Sequence, residues 1–198
     1  MMMNKIVMAT NNANKLREVR EILSPIGIEV ISLAEAGICC DPDETGTSFH
    51  ENSEIKADAV YNAYALKNHS NIEVIADDSG LCVDALGGRP GVYSARYATK
   101  GQECAKLLDE MKDVPDEQRT ARFICDITYI NVYGSDFHFE GVCEGSIGHE
   151  ERGENGFGYD PVFMYGDRTM AEMTSEEKNK ISHRAKALDG LYKFLKEG

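Results

Sequence analysis

Two adjacent carboxylates at the end of an apolar run, Ile75-Ala76-Asp77-Asp78-Ser79-Gly80-Leu81, constrain this chain more than any other feature. Residues 71–76 have the pattern of a strand, and the pair reads as its end. Neighbouring like charges repel, and a carboxylate withdrawn from water needs a cation or hydrogen-bond donors. Any fold must therefore bring a divalent metal or cationic side chains to this strand end. Otherwise the pair must sit in a solvated turn, which Asp-Ser-Gly chemistry also favours.

The rest of the chain supplies the elements around it. Residues 5–9 read as a first strand, followed by a polar turn, Thr10 to Asn14, and a helix over 15–23 with Leu16, Val19, Ile22 and Leu23 at helical spacing. Ser24-Pro25-Ile26-Gly27 stops that helix, and residues 28–33 form a second strand. Strand–turn–helix–turn–strand is the opening of an α/β architecture. An acidic loop over 41–47 precedes a helix with Ser48 and Glu51 at capping-box spacing, whose apolar or small positions include Ile55, Ala59, Ala63 and Leu66. A sharp loop over 87–91 and a helix over about 101–112 come next. Residues 122–132 and 137–147 alternate as two long strands joined by a turn at Tyr133-Gly134-Ser135-Asp136, the signature of a hairpin. After a glycine-rich segment over 153–158 and a short strand or loop over 159–164, the end is helical. Thr174 and Glu177 form a second capping box, and Ile181, Ala185, Leu188, Leu191, Tyr192 and Leu195 make one apolar stripe. No repeat, low-complexity tract or linker interrupts residues 1–198, which read as one domain with two lobes.

Composition narrows the class of function. At 42% hydrophobic and 28% charged residues the chain is of ordinary globular type, and no apolar run approaches the roughly 18 residues of a membrane span. Residues 1–10 are too short an apolar stretch for a secretory signal, so a cytoplasmic location and no membrane partner are expected. Six cysteines without a C-x-x-C fit a reducing compartment, with Cys82, Cys125 and Cys143 reading as small core hydrophobes. A net charge of −13 repels a phosphodiester backbone, which argues against a nucleic-acid polymer as partner. It does not exclude a small anion held by a metal or a local cationic pocket.

Four polar constellations stand apart from the core pattern. The turn Thr10-Asn11-Asn12-Ala13-Asn14-Lys15 opens a helix, where backbone N–H groups and Lys15 can hold phosphate, although an ordinary solvated turn has the same composition and the glycines of a Walker loop are missing. Asp43 and Glu44, before a helix bearing Asn52 and Lys56 at i and i+4, can share a metal with Asp78 or lie on an exposed acidic surface. Asp77-Asp78-Ser79-Gly80 offers magnesium one or two carboxylates, or offers an attacking water a base. Phe157-Gly158-Tyr159-Asp160, with Lys178, His183 and Arg184, can stack a flat base and pair with phosphates. A single helical histidine such as His183 is more often a structural hydrogen-bonder than a catalyst.

Taken together, residues 10–15, Phe49-His50-Glu51-Asn52, residues 76–81, Pro90-Gly91-Val92-Tyr93-Ser94-Ala95-Arg96, Phe157-Gly158-Tyr159-Asp160-Pro161 and Ile181-Ser182-His183-Arg184 closely resemble the inosine triphosphate pyrophosphatase family, also called non-canonical purine NTP or dITP/XTP pyrophosphatases. The resemblance runs from about Lys5 to Leu195. It implies an α/β fold with an elongated mixed β-sheet flanked by helices, two lobes around a central cleft and a homodimer. It implies Mg²⁺-dependent hydrolysis of ITP, dITP or XTP between the α and β phosphates, with Mn²⁺ an alternative occupant, in sanitation of the nucleotide pool. Carried over by position, Asp78 is the general base and a metal ligand, with Glu44 and Asp43 the further metal carboxylates. Thr10, Asn11, Asn12, Ala13, Asn14, Lys15 and Ser79 hold phosphates. Phe157 stacks on the purine, Gly158, Tyr159 and Asp160 shape its pocket, and Lys178, His183 and Arg184 complete the base and phosphate contacts. A donor aimed at a 6-keto oxygen would face an amino group when adenine enters, which gives discrimination against ATP a physical basis.

Two positions depart from the family pattern. Asn11 stands where glycine is common, and asparagine is the residue best able to keep a left-handed turn there. Asp43 stands where glutamate is frequent, which weakens its share in the metal relative to Glu44. Two other readings stay open: a related pyrophosphatase for another modified or canonical nucleotide, and a non-catalytic module that binds Mg²⁺–nucleotide. The second is disfavoured by the presence of Asp78.

Overall fold

The computed structural model describes residues 4–197. Its strands are β1 (Asn4–Met8), β2 (Ile28–Ile31), β3 (Glu73–Val83), β4 (Thr120–Ile130), β5 (Asp136–Ile147), β6 (Phe163–Tyr165) and β7 (Arg168–Thr169). Its helices are α1 (Ala13–Leu23), α2 (Phe49–Asn68), α3 (Glu103–Glu110), α4 (Ser175–Ile181) and α5 (His183–Glu197). The strands form one seven-stranded sheet in the order β2-β1-β3-β4-β5-β6-β7. β1 pairs in parallel with β2 and β3, whereas β5, β6 and β7 pair antiparallel. The fold is a mixed α/β sheet flanked by helices, as expected.

The chain divides into two compact units, each built from separated segments. The first comprises residues 1–78, 125–141 and 184–198, the second residues 79–124 and 142–183. In the first unit the period-two alternation of the strands sorts side chains onto two faces. Ile6, Met8, Ile75, Cys125, Ile127 and Tyr129 pack with Val19 and Leu23 of α1 and Ala187, Leu188 and Leu191 of α5. The intervening Val7, Ala9, Val74, Ala76 and Ile130 pack with Ala57 and Val60 of α2. Sheet strands covered on both faces read as continuous apolar runs, which is why residues 74–76 show no alternation. The second unit has its own core of Leu81, Val83, Leu107, Met111, Phe123, Cys143, Val162, Phe163 and Met170, among others.

Several local expectations change. β3 does not stop at the carboxylate pair but continues seven residues past Ala76, through Asp77 and Asp78 to Val83. Paired charge can stay inside a strand, so the pair did not mark an end. On α2 the buried positions are Asn52, Ser53, Ala57 and Val60, and Leu66, one of the apolar or small positions read from sequence, is 80% exposed. That helix buries the polar Asn52 and Ser53 near its start, so its hydrophobic pattern misleads. Ser48 accepts from Glu51 N, but the Glu51 carboxylate turns to the N–H and hydroxyl of Thr47, leaving the first capping box half formed. The second box, Thr174 with Glu177, is complete. The helical end is two helices, broken where Ser182 adopts extended backbone. Cys125 and Cys143 are buried as expected, whereas Cys82 is half-buried.

Candidate active site

Alternation along β3 separates the two carboxylates. Asp77 follows the face that carries Ile75, against α1 and α5. Asp78 takes the opposite face, toward α2. One strand thus serves two charge clusters in the first unit, and the repulsion of adjacent carboxylates is relieved by pointing them apart.

Asp77 lies in a four-charge cluster. Arg184 Nε donates to its Oδ2 at 2.7 Å, and the Arg184 guanidinium also pairs with Glu18. Lys15 Nζ pairs with the Asp77 carboxylate and reaches its backbone carbonyl at 3.3 Å, while Cys125 Sγ donates to Oδ2 at 3.0 Å. Asp77, Glu18 and Arg184 are all at most 5% exposed. Burial alone would raise the Asp77 pKa, but the cations of Arg184 and Lys15 hold it well below the ordinary carboxylate range. Burial likewise opposes the charge on Arg184, and Asp77 and Glu18 outweigh it, so its pKa is raised. Two buried anions and two cations compensate one another, which makes the cluster a brace between β3, α1 and α5.

Asp78 lies in a different setting. Lys56 Nζ donates to its Oδ1 at 2.7 Å and to Glu44 Oε1 at 3.0 Å, so one ammonium bridges two carboxylates. Asn52 Nδ2 approaches Asp78 Oδ2 at 3.4 Å, and Asn52 Oδ1 accepts from Gly46 N at 2.8 Å, which ties the acidic loop to α2. Burial raises the Asp78 pKa, Lys56 and Lys15 offset part of that rise, and Glu44 adds to it, leaving the carboxyl above its ordinary value. Lys56 is shifted down by burial and further up by Asp78 and Glu44, and its pKa is raised overall. Two carboxylate oxygens converging on one cation are the donor set that a hard divalent ion accepts, with water and phosphate oxygens filling the other positions. Asp43 is exposed and the structure does not bring it into these contacts.

The turn before α1 is held by its own side chains. Asn12 caps the helix, accepting at Oδ1 from Asn14 N at 3.0 Å and Lys15 N at 3.3 Å, and Thr10 Oγ1 accepts from Asn12 N at 3.1 Å. Asn11 donates to Asp41 Oδ1 at 2.9 Å. Among the described residues His69 is the non-glycine residue with positive φ, so Asn11 does not need the left-handed geometry anticipated for it. Asn11, Asn12 and Ala13 are exposed.

The second unit carries the aromatic motif. Phe157 stands between Gly156 (φ 74°) and Gly158 (φ 61°), both in the left-handed region that admits glycine. Asp160 Oδ2 accepts from Phe157 N at 2.8 Å and from Lys178 Nζ at 2.6 Å, and that ammonium lies 4.9 Å from the Phe157 ring centre. A Cβ on Gly156 would come within 2.0 Å of Asp160 Oδ2, so the glycine is required by close approach as well as by φ. Tyr159 is buried and donates to Ser94 O at 2.9 Å, anchoring the turn over 91–96. His183 is buried and stacked on Phe123 at 4.7 Å and 15°. Ser79 is half-buried on β3.

Of the expected residues, Asp78 and Glu44 meet through Lys56, and Phe157, Asp160 and Lys178 meet one another. Lys15 and Arg184 meet at Asp77. Lys56 and Asn52 form the cation and amide of the Asp78 cluster; their i, i+4 spacing was the available signal. Glu18 gave none, because its partner Arg184 lies 166 residues away.

The Ham1 family model matches residues 6–194. The chain is 50% identical over 200 residues to the dITP/XTP pyrophosphatase of Bacillus subtilis (strain 168), covering 98% of each chain. Among solved structures it is similar to a HAM1 protein from Coxiella burnetii, with TM-score 0.84 and 39% identity over 99% of this chain and 100% of that one. It is also similar to the Staphylococcus aureus Ham1 protein, with TM-score 0.82 and 38% identity over 98% and 99%.

Proposed function

The chain belongs to the Ham1 family, and we propose on that premise that it hydrolyses non-canonical purine nucleoside triphosphates, ITP, dITP and XTP, to the monophosphate and pyrophosphate. It is a nucleoside-triphosphate pyrophosphatase of the kind that clears such nucleotides from the pool. The observation that carries the reading is the buried Asp78 carboxylate, sharing the Lys56 ammonium with Glu44.

Asp78 acts as the base, accepting the proton of the water that attacks the α phosphorus. Lys56 holds its carboxylate in one orientation, and Asn52 limits its rotation from the other oxygen. Glu44 and Asp78 would hold Mg²⁺, with Mn²⁺ an alternative, and the ion would supply positive charge at the phosphates. Asp43 is assigned an outer position. The residues from Thr10 to Lys15 and Ser79 contact phosphate. Phe157 offers its face to the purine, Gly158, Tyr159 and Asp160 shape that surface, and Lys178 and His183 complete the base and phosphate contacts; Arg184, buried between Asp77 and Glu18, supports the site as a brace rather than touching substrate. Among the described residues no helix is long and apolar enough to cross a membrane. We assign the protein to the cytoplasm as a homodimer acting on free nucleotides.

The test is hydrolysis of ITP, XTP, dITP, GTP and ATP with Mg²⁺, with pyrophosphate assayed separately from orthophosphate. Pyrophosphate and the monophosphate from the first three substrates are expected. Orthophosphate alone would overturn α–β cleavage, and equal turnover of ATP and ITP would overturn the purine selectivity.

A further inference from the structure

A second polar cluster lies on the α2 side of the sheet in the first unit. His50 is in the first turn of α2, Asp126 is on β4 and His138 is on β5. One ligand atom from each of the three lies within 4.8 Å of the others. His50 Nδ1 stands 3.6 Å from Asp126 Oδ2, and His138 Nδ1 stands 3.8 Å from Asp126 Oδ1. Both separations exceed an N–H···O hydrogen bond of about 2.7–3.2 Å. They are close to the roughly 3.4 Å that separates a nitrogen and an oxygen bound tetrahedrally to one Zn²⁺. The two imidazole rings have centres 3.8 Å apart and planes tilted by 44°.

The surroundings resemble the support of a metal site. His138 Nε2 is 3.1 Å from Asp136 Oδ2, so a proton on Nε2 bonds to that carboxylate and leaves the Nδ1 lone pair turned toward Asp126. Asp126 is buried, and Ser53 Oγ lies 3.2 Å from its Oδ1 and 2.7 Å from Thr128 Oγ1. Thr128 Oγ1 is in turn 3.1 Å from His138 Nδ1, and its hydroxyl is the group that must turn aside. Glu54 and Asp136 add negative charge on the other side of His138.

We infer that His50, Asp126 and His138 form a binding site for a divalent transition ion of the Zn²⁺ class, separate from the carboxylates at Asp78. Two imidazoles and one carboxylate are a donor set suited to Zn²⁺, Co²⁺ or Ni²⁺ rather than Mg²⁺, and three protein ligands leave room for water. The site would fix the first turn of α2. Asn52 and Ser53, adjacent on that helix, touch Asp78 and Asp126 respectively, so occupancy at one cluster restrains the helix that serves the other.

The probe is Zn²⁺ titrated into the purified full chain by calorimetry, with millimolar Mg²⁺ present to occupy hard oxygen sites, and Co²⁺ absorption as an independent reading. One Zn²⁺ per chain is expected, with ligand-field bands in the Co²⁺ form. His50→Ala and His138→Ala should each weaken binding at least tenfold, and the double variant should lose the Co²⁺ bands. His50 is exposed, so its substitution leaves the fold intact, as circular dichroism would check. Glu54→Gln should bind as the parent does. Absence of micromolar Zn²⁺ binding by the parent, or undiminished binding by the double variant, would overturn the site. So would loss of binding in Glu54→Gln with retention in His50→Ala.

Discussion

At the scale of single residues, neighbours in sequence carry different work. Asp77 and Asp78 are chemically identical and adjacent, yet one is driven below and the other above the ordinary carboxylate pKa. Burial raises both, and the pleat decides what opposes it: Asp77 turns to Arg184 and Lys15, which overcome it, whereas Asp78 turns to Lys56, which with Lys15 offsets only part of it while Glu44 adds to it. Asp78→Asn should lower the turnover number on the order of 10²–10⁴-fold while nucleotide binding, followed by calorimetry, persists. A near-normal rate would remove Asp78 from the role of base. Asp77→Asn instead strips one anion from a buried pair and should cost about 3–5 kcal/mol of stability in chemical denaturation. The sign of its pH dependence follows from the depressed pKa. The contribution of Asp77 is present above the unfolded value of 3.8 and is lost as pH falls through the lower folded value. The stability gap between parent and variant should therefore narrow below about pH 4; a gap that widens on acidification would contradict the pairing.

At the scale of elements, the informative departures are those where polar groups are buried. The sequence places Leu66 among the apolar or small positions of α2, but the helix turns Asn52, Ser53, Ala57 and Val60 inward because Asn52 meets Asp78 and Ser53 meets Asp126 and Thr128. A hydrophobic pattern cannot register a face whose partners are carboxylates. Leu66→Lys should change stability by less than about 0.5 kcal/mol, whereas Val60→Ala should cost about 1–3 kcal/mol in urea denaturation. The opposite ranking would restore Leu66 as a buried position of this helix. In the Phe157 turn, Gly156→Ala adds a Cβ 2.0 Å from Asp160 Oδ2. It should displace the carboxylate that holds Lys178 and raise KM for ITP more than it lowers kcat. Equal KM values in parent and variant would separate this turn from substrate binding.

At the scale of the whole molecule, the acidic balance and the assembly are the properties to measure. A homodimer should sediment at about 44 kDa, twice the 21.9 kDa chain, at micromolar concentration, and a 21.9 kDa species there would refute it. Much was legible beforehand. The opening strand–helix–strand order, the hairpin of residues 122–147, the cap at Thr174 and the motifs from Thr10 to Arg184 all rest on local spacing or local chemistry, which the chain carries wherever it folds. The division of residues 79–124 and 142–183 from the rest was not legible, because each unit is closed by segments distant in sequence. The α/β class, the family and the polar residues that stand out are all readable in the order of residues. Packing alone settles that Arg184 joins Asp77 to Glu18 while Asp78 shares Lys56 with Glu44. Partners 107 and 22 residues away are chosen by which side of a strand a side chain leaves, and by what the packed helices place there.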